Sequence, residues 1–321
     1  MEKFGTWADQ ATGIRPFIPL SIKISGFQKF MRYFFGFLKL VLLLSTLLNY
    51  LIFITVISFL PIPIIRRFLI RVYSYVIGHL YLLLFGSPST SVECKPLINK
   101  RFEPESWEGA NSGDIIISPL TSYLDILWLE TKLSPVFAIP VDETHVVVYT
   151  FYKLIFSILN HRNLRSGNCQ EIQNVVEKAR RSKLGPVVIF PESAPSNGLG
   201  ILKFIPLNFA VSPETRILLL AFHNTGDGNT PNFVCQKPFP HLIQMAGRLY
   251  APIQAFAPLH NYIEPLQPSK FNNKVTPELL ENIREVLGKL LNIPLLQIGA
   301  NECRGFLDAY LSESGDHLKE D

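Results

Sequence analysis

The chain is short of charge, of tryptophan and methionine, and of closely spaced cysteines. Charged residues make up 17% of its 321 positions, which is low for a soluble protein, and the formal net charge is only +4. Electrostatics of that size give no case for a nucleic-acid partner. The four cysteines, Cys94, Cys169, Cys235 and Cys303, stand far apart. Their spacing fits neither a zinc site nor a disulfide framework, so no metal is expected and a reducing, cytosol-facing location is the simpler reading. The Gly-x-Ser-x-Gly elbow is missing, which argues against a hydrolase built on it. There is no internal repeat.

Apolar residues fill the gap, at 48%, with 24 Phe against three Met and three Trp. From Leu40 to Ile65 run 26 residues without a formal charge. About 20 suffice to span a bilayer. The run begins too late and lasts too long for a cleaved signal peptide. Arg66 and Arg67 interrupt it, and a second apolar segment follows from Val72 to Gly86. The flanking positive charges, six Lys/Arg in residues 1–40 against Arg66, Arg67 and Arg71, do not decide between one span and two. Pro61-Ile-Pro63 offers a bend. The pattern favours a helical hairpin or re-entrant pair with both flanks cytosolic, against a single span or a buried core helix. The expected division is a basic, amphipathic segment 1–39, a membrane segment 40–86, a domain 87–310 and a disordered tail 311–321.

Past a Ser/Pro/Lys/Glu-rich stretch at 87–113, read as a linker or surface strand pair, strand-like and helix-like segments alternate. Ile115-Ile116-Ile117, Pro135–Val141, Pro186–Phe190 and Arg216–Phe222 read as buried strands. Tyr123–Lys132, Val146–Leu159 and Asn168–Ser182 read as helices, the last with Ile172, Val175, Val176 and Ala179 on one face. Thr276 before Pro277 caps a helix whose stripe includes Leu279, Leu280, Ile283 and Leu287. The fold class expected is α/β, a mostly buried central sheet flanked by helices and preceded by membrane helices.

Two stretches carry chemistry. "SPLTSYLD", residues 118–125, follows the first buried strand and ends on an acid. "VVIFPESAPSNGLGILKF", residues 187–204, runs a strand into Glu192 and a Ser/Pro/Asn/Gly turn, placing the acid at the edge where α/β sheets bind ligands. Each has a bland explanation. Ser122-x-x-Asp125 reads as a capping box, and Glu192 as a loop acid capping its own turn.

Taken together, these stretches resemble the glycerolipid (1-acylglycerol-3-phosphate) acyltransferase superfamily over roughly residues 110–300. "TSYLDIL" resembles the back half of its His-x4-Asp box, with Asp125 on the aspartate. "HRNLRSG" falls at its arginine turn, with Arg165 on the arginine, and "FPESAPSNG" at its Phe-Pro-Glu-Gly-Thr box, with Glu192 on the glutamate. The opening "MEKFGTWADQATGIRPF" looks like the fungal lysophosphatidic acid:oleoyl-CoA acyltransferase group.

The resemblance implies a membrane enzyme that transfers an acyl group from acyl-CoA, a co-substrate rather than a bound cofactor, to the sn-2 hydroxyl of a lysophospholipid. It implies the endoplasmic reticulum and the lipid droplet, a bilayer or droplet monolayer as partner, and a cytosolic domain. It places catalysis at Asp125 with Thr121 and Ser122, and substrate binding at Arg165, Glu192, Ser196, Asn197 and Lys203.

The sequence departs from this family at its centre. Leu120 stands at the histidine position and cannot accept a proton. Ser193 and Ala194 replace Gly-Thr. Replacement bases are His145, His161 or His223, or Asp125 itself acting through water or Thr121. The alternative is an inactive member of the fold that binds lipid or recruits partners.

Overall fold

The computed structural model describes residues 2–20, 25–97, 105–224 and 232–314. Its first two long elements are α1 (Gly26–Ser58) and α2 (Pro63–Leu84), joined by a turn at Phe59–Ile62. They run antiparallel, with the Tyr50 hydroxyl 3.1 Å from the Ser74 hydroxyl and the Tyr50 and Tyr73 rings stacked at 6.0 Å. Pro63 starts α2 because its missing N–H belongs to a group that is unpaired at a helix start anyway. α1 is long and apolar enough to cross a membrane, and it runs through the boundary expected at Leu40.

The strands are β1 (Ser89–Lys95), β2 (Ile115–Ile117), β3 (Val136–Pro140), β4 (His145–Tyr149), β5 (Cys169–Glu171), β6 (Val187–Ile189), β7 (Phe209–Ala210), β8 (Ile217–Leu219), β9 (Ala221–Asn224), β10 (Ile253–Pro258) and β11 (Lys274–Val275). Six form a sheet in the order β5-β4-β3-β6-β2-β8, and β1-β10-β9 form a second. The run Ile217–Asn224 passes from one sheet to the other, leaving β2 and then pairing with β10. The centre is parallel: β2 lies between β6 and β8, and β3 pairs with the other edge of β6.

The remaining helices are α3 (Tyr123–Leu133), α4 (Phe151–Leu159), α5 (Ile172–Arg181), α6 (Pro238–Ala246), α7 (His260–Ile263), α8 (Pro277–Leu291) and α9 (Ala300–Ser314). Alternation along the central strands splits the core into two layers. Ile116, Val188 and Phe137 pack with α3 and with Leu43 and Leu82 of the helix pair. Ile115, Ile117, Val187 and Ile189 pack with α5 and α8. Both faces are covered, which is why these strands read as uniform apolar runs.

Four expectations need correction. Val146–Leu159 is not one helix: β-branched Val146-Val147-Val148 pair with β3, and the helix starts only at Phe151. The helix expected from Asn168 starts at Ile172, because Cys169–Glu171 pair with β4 at the sheet edge. Among the described residues of 87–113 stands one strand, β1, whose partner is the distant β10. The tail expected from 311 is helical through Ser314, and its remainder lies outside the described residues.

Residues 2–20 do not stand apart from the domain. Phe17 is buried against Phe306 of α9, and buried Asp9 accepts the Gln297 N–H at 2.8 Å. The chain thus touches the domain both before α1 and after α2. The two helices form an antiparallel pair, and the described residues before it and after it both pack on the domain.

Candidate active site at the carboxyl edge of the sheet

β2 and β6 are adjacent and parallel, with Ile117 opposite Ile189. The loops after them therefore emerge side by side at the edge where open α/β sheets take ligands. The first loop reaches Ser122, whose extended backbone and hydroxyl, accepting the Leu124 N–H at 3.0 Å, cap α3. Asp125 is in the first turn of that helix and wholly buried. The Thr121 hydroxyl donates to its Oδ2 at 2.5 Å.

The second loop is fastened to the first by Glu192. Its Oε2 accepts the Leu120 N–H at 2.7 Å and its Oε1 the Leu202 N–H at 2.8 Å. The side chain has no solvent exposure, and burial pushes its carboxyl up to about 7. The two N–H donors and the nearby Arg284 guanidinium pull the other way. Leu120 in turn accepts the Ser196 N–H at 3.3 Å.

Ser193, at the glycine position of the resemblance, has φ = 51°. A non-glycine residue pays roughly 1–2 kcal/mol for left-handed backbone. The Ser193 hydroxyl offsets part of that by donating to the Pro140 carbonyl at 2.8 Å, tying the loop to the end of β3.

Arg165 and Lys203 share a cleft of about 380 Å³ at the same sheet edge, lined also by Asp142, Glu143, Asn301 and Glu302. The Arg165 guanidinium is aimed by two bonds, to Asn301 Oδ1 at 2.8 Å and to the Val141 carbonyl at 2.7 Å. The cleft adjoins the Glu192 loop, since Lys203 directly follows Leu202 and the Ile205 N–H bonds the Pro191 carbonyl.

Other expected residues are placed differently. Asn197 spends its amide on the carbonyls of Arg15 and Ile18, at 2.8 and 2.9 Å, clamping residues 2–20 onto the loop. Ser196 is fully buried. The side chain of Leu120 belongs to the apolar core, 1% exposed.

Of the three candidate histidines, His145 lies 3.1 Å from Asp142, which lines the cleft. His161 stacks on Phe233 with Nε2 3.1 Å from the Gln236 carbonyl, and burial lowers its pKa. His223 is exposed on β9. A fourth, His241, was not anticipated. It is buried on α6 with its ring 5.7 Å from that of Tyr123 and its Nε2 unbonded among the described residues. Burial first, and then Arg248, hold it down at about 4. Nothing around "PFPHLIQMA" signals this, because the contact with Tyr123 is purely tertiary.

No protein-family model matches the chain, and no solved structure matches it. A protein of Schizosaccharomyces pombe named "Putative lysophosphatidic acid:oleoyl-CoA acyltransferase" is 26% identical to it over 319 residues, covering 96% of this chain and 98% of the other. The likeness is full-length. It supports acyltransferase chemistry in the broad sense.

Proposed function

We propose that this protein is a membrane-bound, acyl-CoA-dependent O-acyltransferase that esterifies the sn-2 hydroxyl of lysophosphatidic acid or a related lysophospholipid, yielding phosphatidic acid or its analogue. The observation that carries the reading is the bracing of the Asp125 loop by Glu192 across adjacent parallel strands, with a cleft holding Arg165 and Lys203 beside it. The full-length likeness to a protein named for this reaction supports it.

In this proposal Arg165 and Lys203 take the phosphate through charge-assisted hydrogen bonds. Glu192 positions the two loops. The hydroxyl attacks the thioester carbonyl carbon, the C–S bond breaks, and CoA leaves as thiolate. The proton of the attacking hydroxyl passes to the Thr121 oxygen as Thr121 gives its own to Asp125, the pair already bonded at 2.5 Å. It then goes to the thiolate. Holding hydroxyl and thioester in line supplies much of the acceleration. The site is cytosolic, on the endoplasmic reticulum or the lipid droplet.

A second reading, a lipid-binding protein without catalysis, is favoured by the core position of Leu120 and the complete burial of Asp125. Purified full-length protein given labelled oleoyl-CoA and lysophosphatidic acid separates the two. Product above a blank without the protein supports the enzyme; none leaves the binding protein.

A further inference from the structure

The loops that leave β2 and β6 carry the candidate active site, so the segments that enter those strands lie at the opposite edge of the sheet. Asn111 and Ser112 precede β2, Ser134 precedes β3 and Gly185 precedes β6. These three strands are parallel neighbours, which sets their entries side by side. α2 passes over them and leaves a cleft of about 530 Å³ between helix and domain. Small-molecule sites have volumes in that range. The walls are held in place, because α2 lies along α3. At one end the Phe85 and Tyr123 rings meet at 6.0 Å. Nearer the cleft a Cβ placed on Gly78 would run into Thr131 Oγ1, so only glycine admits this approach. Thr131 is itself fixed, its hydroxyl donating to the Leu127 carbonyl at 2.7 Å.

Two cations face this cleft, Arg71 from α2 and Lys132 from α3, and no Asp or Glu among the described residues lines it. The Arg165–Lys203 cleft, by contrast, sets Asp142, Glu143 and Glu302 among its cations. Asp114, the acid nearest in the chain to Ser112, is engaged by Arg216 Nη2 at 2.7 Å and by the Asn111 N–H at 2.8 Å. Lys132 is aimed by His79. The His79 Nδ1–H donates to the Tyr75 carbonyl at 2.9 Å, which leaves Nε2 as an acceptor 3.5 Å from Lys132 Nζ. The Ser112 hydroxyl accepts the Gly185 N–H at 3.2 Å and so keeps its own proton to donate. α3 ends at this cleft, and one cation answers its carbonyl end. Lys132, in the last turn, does that. Arg71, brought by another helix, exceeds the need.

We propose that this cleft is a second ligand site, and that it takes a phosphomonoester. A phosphomonoester dianion matches the two cations in charge. Arg71 offers it a planar fork, Lys132 a point charge and Ser112 a hydroxyl donor. Val72 and Tyr75 of α2, 47% and 50% exposed, add an apolar wall that suits an organic group attached to the phosphate. The phosphomonoester comes from a lipid headgroup or from a soluble metabolite, and both present the same group to these residues. The site lies across the sheet from the Arg165–Lys203 cleft, and the inference does not depend on the acyltransferase reading.

Lysine footprinting of the detergent-solubilised full-length protein tests it without any acyl transfer. Acetylation of exposed Lys132 by an N-hydroxysuccinimide ester, read by mass spectrometry, should fall at least fivefold in saturating dioctanoyl phosphatidic acid. Lys178, exposed on α5, should react as before. Dioctanoyl phosphatidylcholine, a phosphodiester without net charge, should give no protection. The soluble phosphomonoester sn-glycerol 3-phosphate separates the two sources. Protection by it as well means that the phosphate alone is recognised, and protection by phosphatidic acid only means that a lipid headgroup is. Arg71→Gln, an exposed change, should raise the concentration for half-protection about tenfold, the scale of one charge-assisted bond, with the circular-dichroism melt unchanged. Arg165→Lys should leave the protection of Lys132 as it was. The proposal is overturned if neither phosphomonoester protects Lys132, or if phosphatidylcholine protects it equally. It is also overturned if protection ignores Arg71→Gln or is lost with Arg165→Lys.

Discussion

The backbone N–H of Leu120 donates to Glu192 Oε2 at 2.7 Å, joining the loops after β2 and β6 across 72 residues of chain. Glu192→Ala orphans two buried N–H groups, each worth about 1–3 kcal/mol. We expect denaturant unfolding of the detergent-solubilised protein to show a loss of about 2–5 kcal/mol. Glu192→Gln keeps one acceptor and should lose about half as much.

The same carboxyl gives stability a pH dependence. Its folded-state pKa, raised to about 7 by burial, lies above its ordinary 4.5. Between those values the folded chain binds more protons than the unfolded one, so stability falls as pH rises through that window and levels off above it. The full drop is on the order of 3 kcal/mol, from 1.36 kcal/mol per pKa unit. Glu130, also raised to about 7 by burial, titrates in the same window. The difference between wild type and Glu192→Gln isolates Glu192, and an identical pH profile for the two would show that Glu192 contributes none of the slope.

Thr121→Val removes the hydroxyl bonded to Asp125 at almost constant volume. If that pair handles the proton, kcat should fall about 10²–10⁴-fold with KM for lysophosphatidic acid unchanged. His145→Ala should leave kcat within twofold. The reverse pattern would move the proton chemistry to the His145–Asp142 pair at the cleft.

Leu120→His writes the missing base of the resemblance into the chain. The Leu120 side chain is 1% exposed in apolar core, so the imidazole should cost about 1–3 kcal/mol of stability. Turnover should not rise. A large gain in turnover would mean that the loop opens to substrate more readily than its packing implies.

Arg165→Lys keeps the charge but loses the fork held by Asn301 and Val141. KM for lysophosphatidic acid should rise about tenfold, the 1.4 kcal/mol scale of one charge-assisted bond. Lys203→Gln should act in the same direction, and neither should change kcat more than twofold.

The spacing of the two loops was readable in the chain because each follows a short apolar run, and such runs, bounded by turn residues, mark strands buried on both faces. Ser122 as the cap of α3 and Thr276 as the cap of α8 were readable for the same local reason. The break at Thr150 was not, since apolar residues on either side suit strand and helix alike until β3 supplies a partner. Nor could the chain show that Asn197 grips Arg15 and Ile18, or that His241 lies beside Tyr123. Those contacts span 182 and 118 positions.

What the sequence determined by itself was which residues could be buried, where β2 and β6 stop, and that an acid lies in the loop or first helical turn after each. Tertiary structure decided the uses of those residues. The Leu120 position became core, Glu192 a brace and the hairpin a sheath along α3. The physical reason is that burial and hydrogen bonding depend on which surfaces meet, and that is set by packing between elements remote in the chain.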